Sequence, residues 1–178
     1  MKRILFVLLA LCLTAGARAQ FYDTEVHYYI KQGTELTNSS IVWAFTFDGR
    51  KLVSRAMAKS EITAKFRQDA NYMDELLRPR LDNPNYGYEF DEDLTTPRTA
   101  VYASKWTSNS QSRVTYNQNG SSDPIRGRAY IAFTQDRKRM VTWNMEDGSE
   151  EVLNKEYYVR VEKARLLPRK LNVDEFFR

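Results

Sequence analysis

Beyond residue 20 the chain falls into alternating and periodic stretches. Val26, Tyr28 and Ile30 alternate with Glu25, His27, Tyr29 and Lys31, a period of two that predicts a half-buried strand with His27 on its solvated face. After Gln32-Gly33 and the polar stretch Thr37 to Ser40, Ile41 to Phe47 is the most apolar run of this part. It places Ile41, Trp43, Phe45 and Phe47 on one face. Asp48-Gly49 then predicts a hairpin, because both residues tolerate positive φ, with Leu52-Val53 opening the return strand. The period next changes. Ile62, Phe66, Ala70, Met73, Leu76 and Leu77 recur at steps of three and four, which predicts one amphipathic helix at about 61–77. Ser60 is its expected N-cap and Pro79 its expected stop. The one-sided stripe suits a helix lying on a sheet.

Periodicity disappears over a long loop at about 78–98, punctuated by Pro79, Pro84, Gly87 and Pro97. Within it Tyr86, Tyr88 and Phe90 alternate, as a strand or a segment packed on the core would. The last third returns to short apolar or alternating runs at Val101–Trp106, Arg113–Tyr116, Ala129–Thr134, Met140–Met145 and Tyr157–Val161. Turn-prone residues separate them, Gln135-Asp136 and Asp147-Gly148 among them. The expected fold class is α+β: a mostly antiparallel meander, curling toward a sandwich or a partly closed barrel, with the single helix. The apolar tail Leu166-Leu167-Pro168, Leu171, Val173, Phe176 and Phe177 is expected to dock on it.

The first nineteen residues follow a different rule. Lys2 and Arg3 precede an apolar stretch from Ile4 to Leu13, and Ala17-Arg18-Ala19 supplies small residues before Gln20. This is the tripartite pattern of a cleaved secretory signal at 1–19, leaving one β-rich domain at 20–178. The apolar run is about half of what a spanning helix requires, so no transmembrane anchor is expected. Cys12, the one cysteine, follows Leu11 where a lipidation site wants a small residue, and leaves with the signal. The expected location is therefore the periplasm, cell surface or exterior of a Gram-negative cell.

Export also changes the charge. The formal net charge is +4, but without Lys2, Arg3 and Arg18 it is 24 basic residues against 23 acidic ones. That balance argues against nucleic acid as a partner. Arg126-Gly127-Arg128 and Arg137-Lys138-Arg139 read as solvated turns. An acyl-transfer triad needs a histidine, and His27, the one available, has no nucleophile turn beside it. Zinc sites of Cys and His lack ligands. Glu89, Asp91, Glu92 and Asp93 are hard oxygen donors, so calcium is the one cofactor left open, although the run lacks a regular calcium-loop spacing. A charge run of this kind is more often solvated surface.

Aromatic residues make up 13% of the chain, and they carry the functional reading. Trp43 and Trp143 share strand faces with Phe45 and Val141, so they are expected in the core. Tyr102 and Trp106 share a face beside the polar stretch Thr107 to Ser112 and are the candidate ligand-binding pair, since flat rings bury area at little entropic cost. The expected function is a non-enzymatic binding or interaction domain of the cell envelope, with a glycan or an envelope protein as ligand. The alternative is a glycosidase-like hydrolase with two carboxylates not identifiable from sequence. An outer-membrane barrel would need longer lipid-facing alternation with fewer charges.

The ending Ala17-Arg18-Ala19 before Gln20 resembles exported proteins of anaerobic Gram-negative bacteria, whose mature chains often begin with Gln. Tyr130 to Asp136, Met140 to Trp143, Tyr157 to Val161, and Leu166-Leu167-Pro168 to Phe177 look like small β-rich proteins of the same group. The resemblance implies export and a β-rich fold, and no activity. The meander alone is also similar to lipocalin-type barrels.

Overall fold

The computed structural model describes residues 22–108, 115–116, 122–123 and 125–168. The signal at 1–19 with Cys12, the polar stretch 109–114 and the tail residues from 169 onward lie outside the described residues. The strands are β1 (Tyr22–Lys31), β2 (Ile41–Asp48), β3 (Lys51–Ala58), β4 (Tyr88–Phe90), β5 (Thr99–Ser108), β6 (Thr115–Tyr116), β7 (Ser122–Asp123), β8 (Ile125–Thr134), β9 (Arg139–Glu146) and β10 (Leu153–Val161). Helices α1 (Lys59–Gln68) and α2 (Tyr72–Leu81) lie between β3 and β4. Eight strands form an antiparallel barrel in the order β1-β10-β9-β8-β5-β4-β3-β2, and β6 pairs with β7 separately. The sheet is closed, not partly open: β1 pairs with β2 through Tyr29–Trp43 and with β10 through Tyr29–Arg160.

Turn chemistry sets the hairpins. Asp48 Oδ1 accepts the N–H groups of Arg50 at 2.9 Å and Lys51 at 2.8 Å, while Gly49 takes φ +86°. At the next hairpin Asp136 Oδ1 accepts from Thr134 Oγ1 and from the Lys138 N–H, with Arg137 in the left-handed region at φ +55°. Arg126-Gly127-Arg128, expected as a turn, is instead part of β8, with Gly127 paired to Trp106 and Glu146. The alternation of Tyr88 and Phe90 forms β4, which bridges β3 and β5 and shortens the expected loop.

The expected single helix is two. Asp69 is extended at φ −151°, and its Oδ1 accepts the Asn71 N–H at 2.8 Å, which turns the chain before α2. Pro79 lies inside α2 and does not stop it; the helix ends two residues later, so the proline costs little helix. Ser60 is not the N-cap. β3 runs through Ala58 directly into α1, and the Lys59 and Ser60 N–H groups donate to the carbonyls of Ser40 and Asn38, both at 2.9 Å.

Two cores result. Inside the barrel Tyr29, Phe45, Phe47, Leu52, Tyr102 and Phe133 form one cluster. Phe45 and Phe133 meet edge to face at 5.5 Å, and Tyr29 tilts against Phe133 at the same distance. Outside, Tyr28, Ile30, Val42, Ala44, Val53 and Met57 pack under Ile62 and Phe66 of α1 and Met73 and Leu77 of α2. The two faces of β1 are therefore both buried over residues 27–30. His27, expected in water, is 2% exposed and stacks on Phe47 at 5.6 Å, because the polar set of this strand points into the barrel. Val141 and Trp143 lie on the outer face of the barrel and, as expected of core residues, pack against a smaller buried cluster of Val101, Tyr130 and Ala132. No helix among the described residues is long and apolar enough to cross a membrane.

The end of the barrel near Gly49 is closed by side chains. The Arg137 guanidinium lies 5.0 Å from the Phe47 ring centre, and the Tyr29 hydroxyl donates to the Arg137 carbonyl at 2.8 Å.

Phe45→Ala is expected to destabilise the protein by about 3–5 kcal/mol, since Phe45 is fully buried at the centre of the inner cluster. A urea-unfolding midpoint equal to that of the wild type would refute its place there. Gly87→Ala is expected to cost more than about 1 kcal/mol. Gly87 sits at φ +101°, and a Cβ there would collide with the Leu52 carbonyl oxygen, a backbone atom that cannot turn aside. The same unfolding curve measures it.

Candidate functional site

The barrel interior is not filled evenly. Toward the end where β9 finishes and β10 begins, the aromatic packing stops at Phe45 and Ile131. Above them lies a cavity of about 150 Å³. Trp43, Phe45 and Tyr88 line it from β2 and β4, and Thr142, Asn144 and Asn154 from β9 and β10. The cup follows from side-chain parity: positions opposite the aromatic residues of β8 and β9 are small or polar, with Ala129 facing Asn144 and Ile131 facing Thr142 across the ladder. Residues of this size cannot fill the width of an eight-stranded barrel.

Asn154 reaches the cup through an irregularity. The β9–β10 register shifts between Leu153 and Glu156, and Asn154 holds φ +51° in that bulge. An extra residue in a strand re-aims the side chains beside it, and asparagine takes the left-handed region more readily than other non-glycine residues. Trp43 lies parallel to Phe45, with ring centres 6.0 Å apart. The Tyr158 hydroxyl donates to Glu156 Oε2 at 2.5 Å. Lys31 Nζ closes the network on Glu156 Oε1 at 2.7 Å. Burial, then the Glu156 carboxylate, push the Tyr158 hydroxyl up to about 12, so it keeps its proton throughout the physiological range. Hydrogen bonds from Lys31 and Tyr158 hold the Glu156 carboxyl below its ordinary value. A general acid needs the opposite shift.

The cup therefore presents ring surfaces, two amides and a hydroxyl, a set that orients a small polar ring by hydrogen bonding while burying its apolar faces. Two other hollows are less suited. The cleft of about 750 Å³ between α2 and the start of β1 is open and lined by charges of both signs; there Asp74 is bonded to Arg78 at 3.3 Å and approached by Lys163 at 3.9 Å. The hollow beside Arg98, Asp136 and Lys138 lies open on a hairpin surface.

The residues expected from sequence fall elsewhere. Tyr102 is 1% exposed inside the barrel, against Phe47, Phe90 and Phe133, and is not a surface platform. Its hydroxyl has no hydrogen-bond partner among the described residues, and burial raises its pKa. Trp106 pairs with Gly127 in the β5–β8 ladder; its side chain lies outside the described residues. The acidic residues Glu89, Asp91, Glu92 and Asp93 are not brought together. Glu89 is in β4, and Asp91 Oδ1 accepts the Leu94 N–H at 3.0 Å, which makes it a turn residue. Among the described residues no group of three or more acidic, histidine or cysteine side chains could hold a metal ion.

Thr142, Asn144 and Asn154 were not legible as site residues. The signal for the first two is the alternation Met140, Thr142, Asn144 against Val141, Trp143, Met145. The apolar set of that strand reads as core, whereas the barrel turns the polar set inward.

Glu156→Gln is expected to lower the melting temperature slightly at pH 7, since an exposed ion pair contributes about 0–1 kcal/mol. Because the Glu156 pKa is depressed in the folded state, its contribution is present above the ordinary carboxylate range and is lost as pH falls through the lowered value. The gap between variant and wild type should therefore close in acid, and calorimetry from pH 7 to pH 3 checks the sign. No protein-family model, curated protein or solved structure matches this chain, so the site rests on its own geometry.

Proposed function

We propose that this protein is an exported, non-enzymatic binding domain of the cell envelope that takes one ring of a glycan in the cup between Trp43, Tyr88, Asn144 and Asn154. One observation carries the reading: space is left between ring surfaces and amide groups in a barrel whose other half is packed solid with aromatic side chains. A cavity of about 150 Å³ takes a single six-membered ring, as an apolar cavity of that size takes benzene. A terminal sugar residue fits this size class and a buried oligosaccharide does not. The amides and Thr142 favour a hydroxylated ring over a bare hydrocarbon, because an apolar ligand would leave them desolvated without partners. The amino-terminal pattern at 1–19 supports export, and the depressed Glu156 carboxyl supports binding over acid catalysis.

A glycan array probed with the purified protein, with and without calcium, tests this. The expected result is saturable binding to glycans sharing one terminal residue, weakened about tenfold by Asn144→Ala with the melting temperature preserved. Binding indifferent to Asn144→Ala would move the site away from the cup. An array with no binding at all would replace the glycan with a protein ligand. Calcium dependence would bring Asp91 and its neighbours into the site.

A further inference from the structure

Among the described residues every side chain that lines the cup is uncharged: Thr142, Asn144 and Asn154 supply its polar groups, and Trp43, Phe45 and Tyr88 its rings. Two carboxylates adjoin it in register. Glu156 is directly opposite Thr142 across the β9–β10 ladder, and Glu146 is two positions beyond Asn144 on β9, with the same parity. The basic side chains nearby are engaged or turned away. Lys31 Nζ lies 2.7 Å from Glu156 Oε1, and Lys155 lies over the Tyr157 ring at 5.6 Å. Arg128 pairs with Lys105 across the β5–β8 ladder, and both carry the outer parity of Val101, Tyr130 and Ala132. Desolvation, then Tyr86, raises the pKa of Tyr88, so negative charge is disfavoured on that wall.

Depth fixes which part of a sugar meets these groups. Asn154 is exposed, whereas Thr142 and Asn144 are half-buried, so Asn154 marks the mouth and the other two the wall below it. A terminal pyranose must keep its glycosidic carbon C1 toward the mouth, because the rest of the glycan leaves there. C4 then lies deepest, flanked by C3 and C5, and the substituent on C5 is carried inside. A hydroxymethyl group at that position can bond with the Thr142 hydroxyl or an amide. A carboxylate there would leave water without meeting a cation, beside Glu156 and Glu146. An unpaired charge costs far more to bury than a hydroxyl.

Resting on the glycan reading of the cup, we propose that it selects an uncharged pyranose at the non-reducing end of the glycan and rejects the corresponding uronic acid. A concentration series of the full chain on a glycan array tests this, with termini of glucose, galactose, mannose and their 2-acetamido forms. Each of the three hexoses is matched there by its uronate and its uronamide. Uronate and uronamide are nearly the same size and differ in charge, so the pair separates charge from bulk. The expected result is a uronamide that binds within about tenfold of its hexose and a uronate at least about a hundredfold weaker. A uronate that binds as well as its hexose, or better, overturns the inference and leaves the glycan reading standing. Loss of uronate and uronamide alike assigns the exclusion to size and also overturns it. Absence of binding to every neutral terminus removes the glycan reading, and this inference with it.

Discussion

Closure of the sheet through β1 is the constraint on which the rest of the structure depends. This strand pairs with β2 on one edge and β10 on the other, so the sheet has no free edge at that seam. Closure also gives β1 an inside and an outside. With α1 and α2 laid over the outside, each of His27, Tyr28, Tyr29 and Ile30 is at most 5% exposed. A residue on either face must then be apolar or find a polar partner. Tyr29 does so through the Arg137 carbonyl, while the His27 ring stacks on Phe47. The hydroxyl of Tyr28, beneath α2, has no hydrogen-bond partner among the described residues.

An eight-stranded barrel is about as wide as its own side chains, so whether it holds a ligand is decided by which residues point inward. In one half those residues are Phe47, Leu52, Phe90, Tyr102 and Phe133, and the interior is solid. In the other they are Thr142, Asn144 and Ala129, and a hollow remains. A hydrogen-bonded group lies beside it. Tyr158 is held by Glu156, and Glu156 by Lys31.

The outside is divided as sharply. The β1–β3 side is covered by helices, whereas on the β5–β8–β9 side Val101, Tyr130 and Ala132 form a smaller buried cluster with exposed basic residues beside it. A membrane-spanning barrel would need an apolar exterior all round, and here Arg55, Lys105, Arg126, Arg128 and Lys155 lie exposed on it.

Much of the architecture was legible in the sequence because it depends on local rules. The period of two set the long strands β1, β2, β5, β8, β9 and β10; the step of three and four placed a helical region after β3; and Asp48-Gly49 and Asp136 fixed their hairpins by side-chain bonds to nearby backbone. The break at Asp69 was less visible, since the apolar stripe continues across it. What the sequence could not decide was which face of each strand is inside. Alternation distinguishes two faces but does not orient them, and a closed barrel with helices on one flank buries both faces of some strands. His27 was misplaced for that reason, assigned by polarity alone. The cup is likewise tertiary. Thr142 and Asn144 come from one strand, Trp43 and Tyr88 lie far earlier in the chain, and only barrel closure brings their side chains around one hollow.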